Sequence, residues 1–331
     1  MTTTRTILVG IYSPFASWNI PHSHVARLRD LFPRHTFLHA TSEHEALELM
    51  ARAQVAFMSE VRPNHFAAAR VLEWIHSPAA GVGGMLFPAL VESGVVMTNS
   101  RGISAGTISE HVLAVTLALF RKLRIAFRAQ SESEWAQDAV LCPPPLRTIA
   151  GSRVLVVGLG AIGTATAQAM SALGARVDAV RRASSRPKPA FVDTLGGPER
   201  LLDLLPSADV VVVAAPQTGE TRGLIGARQL AAMRRDAILV NVSRGRLVDE
   251  AALAGALADG EIGGAALDVF EQEPLPKESP LWSMDNVLIT PHMAGFRPDH
   301  WDAVVDLFSE NLRRFEAGRE LLNVVDKRAG Y

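Results

Sequence analysis

Three short stretches in the C-terminal half carry side chains of complementary chemistry. Asn241-Val242-Ser243-Arg244-Gly245 offers an arginine, Leu267-Asp268-Val269-Phe270-Glu271-Gln272-Glu273-Pro274 offers carboxylates, and Thr290-Pro291-His292-Met293-Ala294-Gly295 offers a histidine. A guanidinium is a rigid fork for a carboxylate. A histidine beside a carboxylate holds its proton more firmly and can give or take it when a carbonyl and an alcohol interconvert. Singly, each residue fits an ordinary role: Arg244 in a salt bridge, Glu273 as a solvated loop carboxylate, His292 as a satisfied histidine after a proline. Each stretch, however, ends an apolar run that reads as a β-strand. Arg244, Glu273 and His292 therefore share one edge of a sheet, the edge at which open α/β sheets bind ligands.

The elements that position them start at a glycine turn. The run Val154-Leu155-Val156-Val157 stops at Gly158, and Gly158-Leu159-Gly160-Ala161-Ile162-Gly163 opens a helical stretch, 164–173, that closes on Gly174. Strand, glycine turn and helix together form the setting of a dinucleotide-binding fingerprint. Gly158 permits the turn, Gly160 lets the backbone approach a pyrophosphate, and Gly163 lets helix and strand pack closely. The N–H groups and dipole at the helix start attract phosphate. Strands at 153–157, 176–180, 210–214, 238–242, 264–268 and 287–289, separated by helices at 164–173, 198–205, 227–233 and 249–258, make six mostly parallel strands. Just past the second of them stands Arg181, then Arg182-Ala183-Ser184-Ser185-Arg186. Folds that select NAD carry an Asp or Glu about 20 residues past the glycine turn, to accept bonds from the ribose hydroxyls. Asp178 falls mid-strand, where its side chain does not reach the ribose. Arg181 and Arg182 cannot accept those bonds but can hold a 2′-phosphate, with Ser184 as a neutral donor. The expectation is NADP(H) preferred, NAD(H) possible. The competing reading is a solvated basic loop.

The first hundred residues also alternate strand and helix but lack a phosphate fingerprint. A long apolar helix at 104–122 connects to the second series, after a Pro-rich entry loop at 141–146. A last helix, 301–318, leads to the tail Leu321-Leu322-Asn323-Val324-Val325, which can return to the first unit. With 331 residues, 48% hydrophobic and 20% charged, the chain has material for about two domains. A net charge of −1 offers no basic surface for nucleic acid or an anionic membrane. No apolar run is long enough to span a bilayer. The one cysteine, Cys142, excludes an intrachain disulfide and fits a reducing compartment, so a cytoplasmic protein is expected. No metal is expected.

These motifs, with Ala215-Pro216-Gln217-Thr218-Gly219-Glu220-Thr221-Arg222-Gly223-Leu224-Ile225 and the stretches 241–253, 266–276 and 279–295, resemble the D-2-hydroxyacid dehydrogenase family from about Gly81 onward. The pattern is most similar to NADP-dependent glyoxylate/hydroxypyruvate reductases. The resemblance implies an α/β chain of two doubly wound domains with the active site in the cleft between them. A flavodoxin-like substrate domain would span 1–100 plus 296–331, and a Rossmann dinucleotide-binding domain 101–295. It assigns Arg244 to the substrate, His292 to acid–base work and Glu273 to the partner of His292. It places Gly158, Gly160, Ala161, Ile162, Gly163, Pro216, Thr221, Val242, Ser243, Asp268 and Gly295 against the cofactor, Asp268 at the nicotinamide end. The backbone amides of Ala80-Gly81-Val82 would meet the substrate carboxylate. An acidic residue often follows that Gly-Val in the family, and here Gly83 stands instead.

The implied reaction interconverts a small 2-keto acid and its 2-hydroxy acid, in a homodimer formed through the cofactor domain. The apolar helix at 108–120 is either part of that contact or a core helix. Alternatives are a dehydrogenase of the same superfamily acting on formate, phosphite or a phosphorylated hydroxy acid, or a dinucleotide-sensing corepressor of this fold.

Overall fold

A computed structural model describes residues 4–182 and 187–331. The chain divides into two units, Met1–Ile103 with Arg297–Tyr331, and Ser104–Phe296. The first unit is built on β1 (Thr6–Gly10), β2 (Thr36–His39), β3 (Val55–Met58), β4 (Trp74–Ser77) and β5 (Val96–Asn99), in the order β2-β1-β3-β4-β5. All pairings are parallel, and this is the order of a flavodoxin-like sheet. Its strands are apolar because both faces are covered. Ile7, Val9, Val55, Phe57 and Trp74 face one core, and Leu8, Ala56, Met58, Ile75 and Met97 the other. The C-terminal helix His300–Glu316 belongs to the first core. Its Phe308 ring stacks on Phe57 at 4.3 Å between centroids. The tail returns to this sheet, with the Val325 amide 2.8 Å from the Met97 carbonyl and an antiparallel bridge between Thr98 and Val324.

The second unit holds β6 (Arg153–Val157), β7 (Arg176–Val180), β8 (Thr194–Gly196), β9 (Val210–Val213), β10 (Ile238–Asn241), β11 (Gly264–Leu267) and β12 (Val287–Ile289). They form a parallel sheet in the order β12-β11-β10-β9-β6-β7-β8. The order reverses between β6 and β9, the switch point at which dinucleotides bind in doubly wound sheets. Val154 and Val156 face one apolar cluster, Leu155 and Val157 the other. The helix Ala105–Phe120 buries Ile108, Val112, Val115 and Phe120 in the first of these, so it is a core helix of its own unit.

The doubly wound α/β fold agrees with the sequence; several details do not. The sheet has seven strands, not six. The extra one, β8, is only three residues long. The helix expected at 198–205 is a succession of short turns, Pro198–Arg200, Leu201–Leu204 and Leu205–Ser207, and Pro206 lacks the N–H that would carry the α-helical turn past Leu204. The connector helix ends at Phe120, and Lys122, with φ 52°, starts a separate helix, Leu123–Ser131. A further helix, Gln137–Leu141, precedes the Pro-rich loop. Among the described residues no helix is long and apolar enough to cross a membrane.

Candidate functional site

The glycine turn sits at the carboxyl end of β6. Gly158 adopts φ 100°, and the helix Ala161–Ala172 starts directly at Gly160. Gly163 is buried where that helix crosses the strand end. A Cβ there would lie 1.9 Å from the Gly158 carbonyl oxygen, so no other residue fits. Ala161 is exposed and Ile162 half-buried at the helix start. The neighbouring strand ends bring the other expected residues to the same edge. The Thr221 hydroxyl donates to the Pro216 carbonyl at 2.7 Å, which closes the loop after β9. After β10, Val242 and Ser243 are buried, and the Ser243 hydroxyl bonds to the Ala215 carbonyl.

The Arg181 backbone N–H donates to the Gly196 carbonyl at 3.0 Å, which ties the end of β7 to β8. Its side chain is half-buried, and its Nε has no hydrogen-bond partner among the described residues. Arg182 pairs with Glu220 at 2.9 Å. Ser184 lies outside the described residues. Asp178 is buried mid-strand, 3.7 Å from the Arg153 Nε.

Arg244, Glu273 and His292 come together at the ends of β10, β11 and β12. The loops carrying Arg244 and Glu273 touch at Gly245, where a Cβ would fall 1.8 Å from the Phe270 carbonyl carbon. Arg244 is half-buried, and its Nη1 donates to the Ser243 carbonyl at 2.7 Å. Burial pushes its guanidinium below the ordinary value, against the pull of the Glu273 charge. The Glu273 Oε1 accepts from the Phe270 amide at 3.0 Å, and its Oε2 lies 2.6 Å from the His292 Nδ1. Burial alone would raise the Glu273 carboxyl. The hydrogen bonds from His292 and the Phe270 amide, with the charges of His292 and Arg244, hold it below the usual carboxylate range. An ionised carboxylate only accepts, so the proton of this contact is on Nδ1.

His292 adopts φ 50°, a conformation sparsely populated by residues other than glycine. Asp268 holds it there. The Asp268 carbonyl accepts from the His292 amide at 2.9 Å, and its buried carboxylate accepts from the Met293 amide at 2.9 Å, the Ala294 amide at 3.0 Å and the Thr290 hydroxyl at 2.6 Å. Both carboxylate oxygens of Asp268 are thus turned to the loop that carries His292. Gly295, half-buried, ends that loop. His111, which the sequence did not single out, joins this network. Its Nε2 is 3.2 Å from the Thr290 hydroxyl and 3.9 Å from the Asp268 Oδ1, and burial lowers its proton affinity against the pull of Asp268. Its only signal was a lone histidine on an apolar helix.

Ala80, Gly81 and Val82 belong to the first unit, after β4. Ala80 and Gly81 are exposed and the Val82 side chain is buried. The Asn99 side chain donates to the Ala80 carbonyl at 2.6 Å, and the Ser100 amide to the Ala79 carbonyl at 3.2 Å, so the loop is held by the end of β5. Beneath it His76 is fully buried, 2.7 Å from the Thr98 hydroxyl, and burial lowers its pKa to about 3.

A guanidinium beside a carboxylate-backed imidazole, at the edge of a sheet with a dinucleotide turn, is an arrangement for gripping an acid and moving a proton. Residues 113–294 match the family model of the D-isomer specific 2-hydroxyacid dehydrogenase NAD binding domain. The chain belongs to the D-isomer specific 2-hydroxyacid dehydrogenase family. A glycerate dehydrogenase of Methylorubrum extorquens is 33% identical to it over 289 residues, 85% of this chain and 88% of that protein. A D-isomer specific 2-hydroxyacid dehydrogenase from Xanthobacter autotrophicus Py2, solved in complex with NADPH and MES, superposes with a TM-score of 0.82 at 33% identity, over 99% of this chain and 100% of that one. An NADPH-dependent glyoxylate/hydroxypyruvate reductase from Sinorhizobium meliloti, solved with NADP and sulfate, gives 0.83 at 28% identity, over 99% and 100%. The family binds a nicotinamide dinucleotide, and the glycine turn of this dehydrogenase fits one. Where a Cβ on Gly160 would stand, nothing lies within 4 Å, which leaves open space at the start of a 12-residue helix.

Proposed function

We propose that this dehydrogenase is an NADP(H)-preferring reductase of small 2-keto acids of the glyoxylate or hydroxypyruvate type. The observation that carries the chemistry is the 2.6 Å contact between the His292 Nδ1 and Glu273 beside Arg244. In this reading Arg244 grips the substrate carboxylate, and the amides of Ala80, Gly81 and Val82 serve the same group. The His292 Nε2 hands its proton to the keto oxygen, and Glu273, bonded at Nδ1, orients the ring for that transfer. The glycine turn, with Pro216, Thr221, Val242, Ser243 and Gly295, holds the dinucleotide, which when bound supplies the hydride for the keto carbon, and Asp268 serves the nicotinamide end through its hold on the His292 loop. Arg181 and Arg182 supply the charge for a 2′-phosphate, which supports NADPH over NADH. The relatives' names, one a glycerate dehydrogenase and one a glyoxylate/hydroxypyruvate reductase, agree with a short hydroxy acid or keto acid. The same reading takes the protein as a cytoplasmic homodimer that binds neither nucleic acid nor membrane. The test is a panel of 2-keto acids assayed with NADPH and with NADH. Glyoxylate or hydroxypyruvate turned over with NADPH at higher kcat/KM than with NADH is the expected result. Efficient reduction of simple aliphatic aldehydes, which offer Arg244 no carboxylate, refutes it.

A further inference from the structure

A cavity of about 750 Å³ opens in the first unit. Ala79, Gly81 and Val82 line it, so the loop assigned to the substrate carboxylate forms part of its wall. Pockets for small organic ligands run from about 300 to 1,000 Å³. A two-carbon keto acid would leave most of this space empty. Trp18 and Trp301 supply apolar wall, which suits a longer carbon chain.

The charged groups on the wall are Glu43, Glu60 and Arg62. Arg62 is already committed. Its Nη1 lies 2.9 and 2.8 Å from the two Glu43 oxygens, and its Nη2 lies 2.8 Å from the Glu60 Oε2. One cation against two carboxylates leaves a negative excess. His300, also on the wall, adds no balancing charge near neutral pH, because burial and Arg297 lower its proton affinity despite Asp299. The Tyr12 hydroxyl responds to the same field. Burial raises its pKa first, Glu43 adds to this, Arg62 opposes and Glu60 adds again, so it stays a neutral donor. An anion placed among these groups meets the repulsion that disfavours the phenolate.

We propose that this cavity reads the tail of the 2-keto acid, taking a longer chain whose far end is neutral or cationic and turning away a second anion. The proposal rests on the reductase reading above, extends it to longer keto acids and sets dicarboxylic and phosphorylated ones aside. Glu43, Glu60 and Arg62 are about half exposed, so solvent screens the effect to roughly tenfold rather than thousands-fold.

The test is a charge series of similar length, reduced by the purified protein with NADPH: 5-guanidino-2-oxopentanoate, 2-oxohexanoate and 2-oxoglutarate. The expected kcat/KM for 2-oxoglutarate is about tenfold below that for 2-oxohexanoate, with the guanidino acid at or above the neutral one. The double variant Glu43→Gln/Glu60→Gln leaves Arg62 unneutralised. It is expected to raise the ratio of kcat/KM for 2-oxoglutarate over 2-oxohexanoate by about tenfold. Equal values across the native series, or an unmoved ratio in a folded variant, overturn the proposal. Should the variant not fold, the native series decides alone. Reduction of glyoxylate and hydroxypyruvate but of none of the three longer acids overturns the pocket and leaves the reductase reading standing. No turnover with any keto acid overturns both.

Discussion

His292 presents its Nδ1 to Glu273 at 2.6 Å, and in the proposed reading this contact assigns proton transfer to Nε2. His292→Ala is expected to lower turnover by about two to four orders of magnitude, the usual scale for a general acid; steady-state kinetics with hydroxypyruvate and NADPH measures it, and an unchanged kcat refutes the assignment. Glu273→Gln keeps the shape and removes the carboxylate that accepts from Nδ1 and orients the ring. It is expected to lower kcat with hydroxypyruvate and NADPH, and an unchanged kcat sinks the pairing. Stability follows the same contact with its own sign. The Glu273 carboxyl is held below its ordinary value in the folded chain. Its contribution is therefore complete above the unfolded value of about 4.3 and is lost as pH falls through the lower, folded value. The Tm difference between the native protein and Glu273→Gln is expected to shrink as the pH falls below about 4. Arg244, Glu273 and His292 could be read from sequence because each follows an apolar run by a few residues. The hold of Asp268 on the His292 loop could not, since bonds from main-chain amides leave no mark on residue type. Nor could His111, whose contact with Thr290 spans 179 residues of chain.

At the scale of elements, the parallel strands were legible because strands buried on both faces are nearly continuous apolar runs. Thr194–Gly196 was not, since three half-buried residues carry no such run. Nor was the separate helix Leu123–Ser131, because only the left-handed Lys122 interrupts an otherwise helical pattern. In the proposed reading the cofactor is chosen by Arg181 and Arg182, just past β7. Arg181 is tied through its backbone to Gly196, and its Nη2 donates to the Pro187 carbonyl at 3.4 Å. Arg182 begins from an ion pair with Glu220, and exposed pairs of this kind contribute at most about 1 kcal/mol. Arg181→Asp is expected to weaken NADPH binding at least tenfold and move preference toward NADH, since a carboxylate repels the 2′-phosphate and accepts from the ribose hydroxyls. Native preference for NADPH is expected to fall at high salt, as screening of an exposed charge requires. Fluorescence titration of both cofactors against both proteins measures this; unchanged NADPH affinity in the variant counts against the reading.

At the scale of the whole molecule, the apolar side chains left in water are unevenly placed. Phe127 is 63% exposed, Trp135 89% and Leu141 56%, and all three fall within one stretch of the second unit. The helix Leu123–Ser131 buries only Ala129. Isolated exposed apolar residues are ordinary, but several large ones within one short stretch mark a surface that associates. The apolar helix Ala105–Phe120 turns Ile108, Val112, Val115 and Phe120 to its own core and leaves Leu117, next to this stretch, 37% exposed. The surface for a second copy is therefore taken to be the pair of helices that follow it. A closed dimer uses the same patch on both copies, so one substitution strikes the interface twice. The native protein is expected to run by light scattering at twice the 35.6 kDa of the chain. Phe127→Glu combined with Leu141→Glu is expected to move it to the single-chain mass with an unchanged far-ultraviolet circular dichroism spectrum, because both residues are already in water in the single chain and their loss empties no core. A native protein that runs at the mass of one chain, or a folded double variant that stays dimeric, refutes the placement of the interface.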